Sequence, residues 1–196
     1  MHPYSHDADR RQRFIIIICA VLGALIAYGL GWIYKLSGFS PPWWLDAPAF
    51  FGCFGIVWKV YDKWGWRQQI GNQTLSGIID ISGEWQGDIA SDYRSGATIT
   101  SQIVIRQTAT RILVELRTET SSSYSYMATL CAGEGPDQGL RYMYSNRPRT
   151  LTPISMTPHE GRVHIRISSD GQTLEGDYET DRHRKNTGQL VFKRLP

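Results

Sequence analysis

Phe14-Ile-Ile-Ile-Ile-Cys-Ala-Val-Leu-Gly-Ala-Leu-Ile-Ala-Tyr-Gly-Leu-Gly-Trp-Ile-Tyr34 carries no charge along its whole length. At about 1.5 Å of rise per residue, a helix over 14–34 covers the roughly 30 Å of a bilayer's hydrocarbon core. Inside lipid a backbone must satisfy its own hydrogen bonds, so such a run is a helix. It is long for the apolar part of a cleaved signal peptide and has no Ala-x-Ala-like end. A second run covers 43–61, from Trp43-Trp-Leu-Asp-Ala-Pro to Trp58-Lys-Val-Tyr61. Its uncharged centre, Ala47 to Trp58, is short for a crossing, but edge tryptophans and a snorkelling Lys59 extend it. It reads as a second transmembrane helix, with a re-entrant or surface helix as the alternative. Gly38 and Pro41-Pro42 break the chain between the two runs, so residues 1–67 are expected to form a two-helix transmembrane hairpin. Arg10, Arg11 and Arg13 precede the first run; Lys59, Lys63 and Arg67 end or follow the second; the connection holds only Lys35. The excess of basic residues at the outer ends places both termini in the cytoplasm.

Gly23, Ala27 and Gly31 recur every four residues and form a smooth stripe on the first helix. In lipid such stripes let backbones approach closely. The stripe packs either the first helix on the second or one protomer on another. Charge is divided unevenly. Residues 1–67 carry seven Lys or Arg against four Asp, and subtracting these from the chain's 21 basic and 18 acidic residues leaves 14 of each. The remainder therefore lacks the basic field that attracts DNA or RNA. Cys19, Cys53 and Cys131 show no metal-ligand spacing and no disulfide framework, which suits a reducing cytosol.

After a polar linker over 68–77 the pattern changes to period two and keeps it to the end. Ile99, Ile103 and Ile105 share one face, as do Ile112, Val114 and Leu116, then Tyr124, Tyr126, Ala128 and Leu130. Leu140, Tyr142 and Tyr144 follow, then Val163, Ile165 and Ile167, then Leu174, Gly176 and Tyr178, and last Leu190 and Phe192. Turn residues, among them Gly133-Glu-Gly-Pro-Asp and Ser169-Asp-Gly, separate the runs. About eight antiparallel strands with one apolar face each must curl into a sandwich or close as a barrel. Eight is the size at which an interior holds packed side chains or one small ligand. The fold class is thus an N-terminal transmembrane α-hairpin followed, over 78–196, by an all-β, eight-stranded antiparallel up-and-down barrel. The charged outer face makes it a soluble barrel.

Gly83-Glu-Trp85-Gln-Gly87 resembles the Gly-x-Trp signature of lipocalin-type and fatty-acid-binding barrels, in which the tryptophan plugs one end. Near the C-terminus stand Leu174-Glu-Gly-Asp-Tyr178-Glu-Thr180 and the basic turn Arg182-His-Arg184-Lys. With the hairpin in front, Phe14 to Arg194 resembles the two-transmembrane, β-strand-rich effectors of bacterial CBASS anti-phage operons, which are associated with CD-NTase enzymes. The resemblance implies a receptor in the bacterial inner membrane. A cognate CD-NTase would make a cyclic dinucleotide, the barrel would bind it, and homo-oligomers would disrupt the membrane in abortive infection.

A cyclic dinucleotide offers two bases for aromatic stacking, worth roughly 1–3 kcal/mol each, and two phosphates for arginine forks and hydroxyls. Strand parity puts Tyr124, Tyr126, Tyr142, Tyr144 and Tyr178 inside, with Thr180 in line. Strand ends offer Arg147, Arg149, Arg182 and Arg184. Each tyrosine could equally fill the barrel and each arginine pair could be a solvated turn. Trp85 reads as the barrel plug. No enzyme is expected: His159, His164 and His183 lack ligand spacing or a carboxylate partner, Gly-x-Ser-x-Gly and phosphate-loop motifs are absent, and Ser121-Ser-Ser123 reads as a turn. No cofactor and no metal is expected. The rival readings are a membrane-tethered lipid or fatty-acid carrier and a purely structural partner-binding domain.

Overall fold

The computed structural model describes residues 1–38, 42, 46–71, 73–92, 98–131, 138–148, 158–181 and 185–196. The period-two stretches become eight strands: β1 (Gly83–Ser91), β2 (Thr98–Gln107), β3 (Arg111–Arg117), β4 (Ser121–Cys131), β5 (Gly139–Pro148), β6 (His159–Ile167), β7 (Thr173–Thr180) and β8 (Thr187–Arg194). Each pairs antiparallel with the next, and β8 returns to β1 through Gly188↔Ser91 to Arg194↔Trp85, so the sheet closes. Closure removes most of the sheet edge that could recruit another chain.

One seam of the barrel is thin. β3 and β4 pair directly only at Glu115↔Tyr124, Leu116↔Ser123 and Arg117↔Ser122. On the outer wall of this stretch Arg117 grips Glu115 with both arms of its fork, Nε to Oε1 at 2.8 Å and Nη2 to Oε2 at 2.9 Å. That fork, more than any other influence, holds the Glu115 carboxyl below its ordinary range. Beyond these three pairs the strands part, and the first residues of the chain lie between them. His2–Pro3 pairs antiparallel with Ile112 and Arg111 of β3, and Ser5–His6 pairs parallel with Thr129 and Leu130 of β4. Sequence reading leaves Met1 to Asp9 disordered; instead residues 2–6 are an arm in the barrel wall. A short polar segment carries no periodic signal of its own, and only the gap it fills gives it a conformation.

Two further expectations fail on β4. Ser121–Ser123 is strand, because the turn lies earlier: Ser121 N donates to Thr118 Oγ1 at 3.0 Å and Thr118 N donates to Ser121 O at 3.0 Å. Tyr124 and Tyr126 point outward, 41% and 42% exposed. The register shifts between Ser125 and Met127, so Tyr126 is an extra residue in a β-bulge. Before the bulge the odd residues Ser121, Ser123 and Ser125 face in; after it Ala128 and Leu130 do. One inserted residue reverses which parity is inside.

Residues Ala8–Ile78 form a separate compact unit. Helix α1 spans Asp9–Leu36 and α2 spans Asp46–Lys63. Over Arg11–Leu36, α1 is long and apolar enough to cross a membrane; among the described residues it is the one helix that is. Ile15, Cys19 and Gly23, four residues apart, are buried on one line of α1. A Cβ added at Gly23 would lie 2.9 Å from the Phe54 backbone, so this part of the smooth stripe packs α1 on α2. Gly31 has open space around it. Part of the linker expected over 68–77 is a tiny ladder, Gln69–Ile70 against Gln73–Thr74, within the same unit.

Inside the barrel, the end holding the start of β1 is filled. Trp85, Ile112, Leu130, Ile165, Leu174 and Phe192 are fully buried there. The Trp85 indole N–H donates to Ile81 O at 3.2 Å, and the Arg194 guanidinium lies 4.6 Å from its ring centroid while donating to Asp80 O at 3.1 Å. Gln107 ties the same end: it accepts from Ile81 N at 3.0 Å and donates to Ile79 O at 3.0 Å. Trp85→Ala removes the centre of this packing and should destabilise the barrel by about 3–5 kcal/mol. Urea unfolding of the detergent-solubilised full chain, followed by circular dichroism, measures the loss; a change below about 1 kcal/mol would show that the tryptophan is not central to the packed end.

Candidate ligand-binding site

The opposite end of the interior is polar. Ser91 comes from the end of β1, Ser101 from the first half of β2, Ser121 and Ser123 from the start of β4, Tyr144 and Asn146 from the end of β5, and Tyr178 and Thr180 from the end of β7. Ser91, Ser101, Ser121, Ser123, Tyr144 and Asn146 are buried, and Tyr178 and Thr180 are half-buried. Asn146 is set by two serines: its Nδ2 donates to Ser121 Oγ at 3.0 Å and to Ser123 Oγ at 2.8 Å. Its Oδ1, like Ser101 Oγ, is buried with no hydrogen-bond partner among the described residues. Buried polar atoms are normally paired, and leaving one unpaired costs about 1–3 kcal/mol. Arg194 Nε at the packed end is also unpaired, but fully buried side chains fill that end, whereas the polar end with its two unpaired oxygens is suited to a guest that brings the missing partners.

Glycines fix the tyrosine rings. Tyr144 faces Gly161 across the β5–β6 ladder, and a Cβ at Gly161 would come within 2.5 Å of the Tyr144 hydroxyl. Tyr178 faces Gly188 across β7–β8, where a Cβ would come within 2.4 Å of the ring. Each ring thus lies over a neighbouring strand where only glycine leaves room. The Tyr178 hydroxyl donates to Ser91 Oγ at 2.7 Å. Tyr142 sits one inward position deeper than Tyr144, the ring centroids 6.5 Å apart. Burial, and to a lesser degree the neighbouring Tyr144, pushes its hydroxyl far above the ordinary tyrosine value, so it stays neutral and presents no charge to an anion.

The expected site residues therefore divide. Tyr142, Tyr144, Tyr178 and Thr180 come together inside the barrel, although the Thr180 hydroxyl is engaged with the Asn186 backbone, accepting from its N–H at 2.8 Å. Tyr124 and Tyr126 are on the outer wall, where the Tyr126 hydroxyl donates to Glu160 Oε2 at 3.2 Å. Arg147 is exposed, at an outward position opposite Ser122. Arg149, Arg182 and Arg184 lie outside the described residues. Trp85 is at the packed end. Sequence reasoning missed Ser91, Ser101, Ser121, Ser123 and Asn146. Asn146 was within reach, two residues past Tyr144 on the same period-two face; the β4 serines were hidden by the misplaced turn. Among the described residues there is no cluster of three or more His, Cys, Asp or Glu able to hold a metal ion.

An eight-stranded barrel packed at one end and polar at the other, in a chain whose α1 is long enough to cross a membrane, has the architecture of a small-molecule receptor. Residues 76–194 match the family model described as Cap15, cyclic dinucleotide receptor domain, and the chain belongs to that family. Over 189 residues it is also 24% identical to CD-NTase-associated protein 15 of Yersinia aleksiciae, a match covering 93% of this chain and 90% of that one. Both comparisons agree with the resemblance to CBASS effectors drawn from the sequence.

The buried Tyr142 hydroxyl makes stability depend on alkaline pH. A raised folded pKa leaves stability untouched below the unfolded value of about 10. Above it, roughly 1.4 kcal/mol is withdrawn per pH unit until the folded hydroxyl ionises. Between pH 9 and pH 11 the wild-type protein should lose about 1 kcal/mol more than Tyr142→Phe in urea unfolding. Equal losses would place the Tyr142 hydroxyl in water.

Proposed function

We propose that this chain is a CBASS antiviral effector that binds a cyclic dinucleotide in the polar end of its barrel, oligomerises, and disrupts the inner membrane to bring about abortive infection. The observation that carries the reading is membership of a cyclic dinucleotide receptor family across the whole barrel, joined to an interior with unsatisfied polar atoms and fixed tyrosine rings at one end. The rings give faces for two bases and the hydroxyls give donors for two phosphates, to which Arg182 and Arg184 of the basic turn, read from the sequence, would add theirs. Chemistry is not needed for such a role, so the chain acts as a receptor and not as an enzyme, without cofactor or metal. The barrel is of the lipocalin or fatty-acid-binding type in this reading, with Trp85 as its plug. A fatty-acid carrier would use an apolar interior, and here the apolar half is occupied by Trp85, Leu174 and Phe192, all fully buried.

The arm supports a hairpin topology for the proposed membrane part. Residues 2–6 are paired with β3 and β4, so the N-terminus and the barrel share one side of any bilayer. The chain between them crosses an even number of times. If α1 crosses, a second segment returns, and α2 with its flanking tryptophans is the segment available. Arginine at the outer ends puts the shared side in the cytoplasm.

Calorimetry with a panel of cyclic dinucleotides and the detergent-solubilised full chain tests the receptor reading. One ligand should bind, and Asn146→Leu, Tyr178→Ala, or Arg182→Ala with Arg184→Ala should each weaken it by about tenfold or more, as expected for one lost hydrogen bond or stacking contact. Uptake of fatty acid with no heat from any cyclic dinucleotide would favour the carrier. Gly31, with open space around it, is the stripe residue free to meet another protomer. Gly31→Leu should abolish ligand-dependent membrane damage, read as dye entry into cells, while leaving binding unchanged. Damage at the wild-type level would confine the stripe to packing α1 on α2.

A further inference from the structure

The arm that completes the barrel wall has the properties of an exchangeable part. It lies between β3 and β4 where their own ladder has ended, with two paired residues on each side. Its side chains hold on mainly through polar contacts: His2 Nε2 shares a hydrogen bond with Ser125 Oγ at 2.8 Å, Ser5 Oγ shares one with Thr129 Oγ1 at 2.8 Å, and the Tyr4 hydroxyl donates to Thr108 O and accepts from Gln107 Nε2, both at 3.2 Å. Met1, in front of it, is 46% exposed. Contacts of this sort gain little over the water bonds they replace, and ordering the arm opposes them. When the arm leaves, however, β3 and β4 each present an edge of unpaired backbone groups, which demand a strand in its place.

α1 begins at Asp9, so Ala8 alone stands between the helix and the arm's unit, its carbonyl accepting from Gln12 N at 3.1 Å. A segment joined through so short a connection, whose seat exists identically on every copy, is a candidate for swapping between copies, because exchanged and unexchanged contacts are the same. Confinement of chains to a membrane would raise the effective concentration of foreign arms at each seat.

We propose that the β3–β4 seam is an interaction surface for a second copy of this chain: the N-terminal arm of one protomer, residues 2–6, occupies the seam of its neighbour and links barrels in the assembled state. This rests on the reading of the chain as an assembling receptor.

Cysteine trapping tests it, because the Ser5 and Thr129 oxygens are already 2.8 Å apart. In a background with Cys19→Ala, Cys53→Ala and Cys131→Ser, a chain carrying Ser5→Cys is co-expressed in bacterial membranes with a tagged chain carrying Thr129→Cys. Oxidation with cyclic dinucleotide supplied should give a tagged disulfide dimer on a non-reducing gel, lost on adding reductant. A second chain carrying both cysteines reports the seat itself: it should cross-link partly within and partly between chains. Cross-links only within chains, or none at all, overturn the proposal. An independent readout avoids the cysteine background. Deletion of residues 2–6 should leave ligand affinity within about threefold of wild type and reduce the assembly to smaller species in light scattering. An assembly of unchanged size would overturn exchange. Calorimetry on the same samples separates the two readings. Binding without links between chains removes arm exchange and leaves the receptor; links between chains without binding removes the receptor and leaves exchange.

Discussion

Closure of one hydrogen-bonded sheet on itself is the constraint on which the barrel depends. Each strand must find partners along both edges, since an unpaired row of N–H and C=O groups is unstable when buried and adhesive when exposed. Seven of the eight strand interfaces meet this along six or more paired positions, whereas β3 and β4 meet at three. Three compensations gather at that seam. Arg117 clamps Glu115 on the outside, Ser125 Oγ accepts from Val114 N at 2.9 Å where the backbone partner has gone, and residues 2–6 supply a short strand for the remainder. The position of the N-terminus in the fold is thus a consequence of closure.

The interior divides the work of stability from that of recognition. At one end Trp85 under Arg194, with Phe192, Leu174 and Ile165 around it, forms close-packed apolar core, where each fully buried large side chain contributes roughly 1.5–3 kcal/mol. At the other, the same inward positions carry hydroxyls, an amide and two tyrosines, and the packing rule is relaxed by glycines at 161 and 188 that admit the rings. Groups of this kind stabilise a barrel poorly on their own, because Asn146 Oδ1 and Ser101 Oγ remain unsatisfied. A site that is poorly satisfied when empty gains more from a ligand that completes it, and the packed end keeps the scaffold rigid meanwhile.

Much of this was legible in the residues, and the failures share a cause. Alternation of apolar and polar positions identified all eight strands, because inside and outside impose opposite demands on successive side chains. Inward placement of Tyr142, Tyr144 and Tyr178 followed from that parity. Parity is also where the reading broke. It assumes an uninterrupted pleat, and the extra residue at Tyr126 turns Tyr124 and Tyr126 outward and Ser121, Ser123 and Ser125 inward. No residue type near Tyr126 announces a bulge, and serines on a barrel's inner face look in sequence like serines in a turn. The arm escaped for a different reason. Residues 2–6 have neither apolar period nor propensity, and their conformation is set by a gap between strands more than a hundred residues away.

β4 joins these features. Its first residues, Ser121 and Ser123, hold Asn146 at the polar end; its last, Thr129 and Leu130, are the arm's seat; the bulge lies between. Coupling between distant sites needs an element with more than one arrangement, and a close-packed apolar core yields little. The packed end, ringed by fully buried side chains, is poorly suited to that role. A bulged strand with a three-pair ladder on one side is far better suited, since a bulge takes up small changes in bend without breaking the flanking pairs. Among the described residues β4 is therefore the strand best able to adjust its bend between the serines that hold Asn146 and the seat of the N-terminal arm.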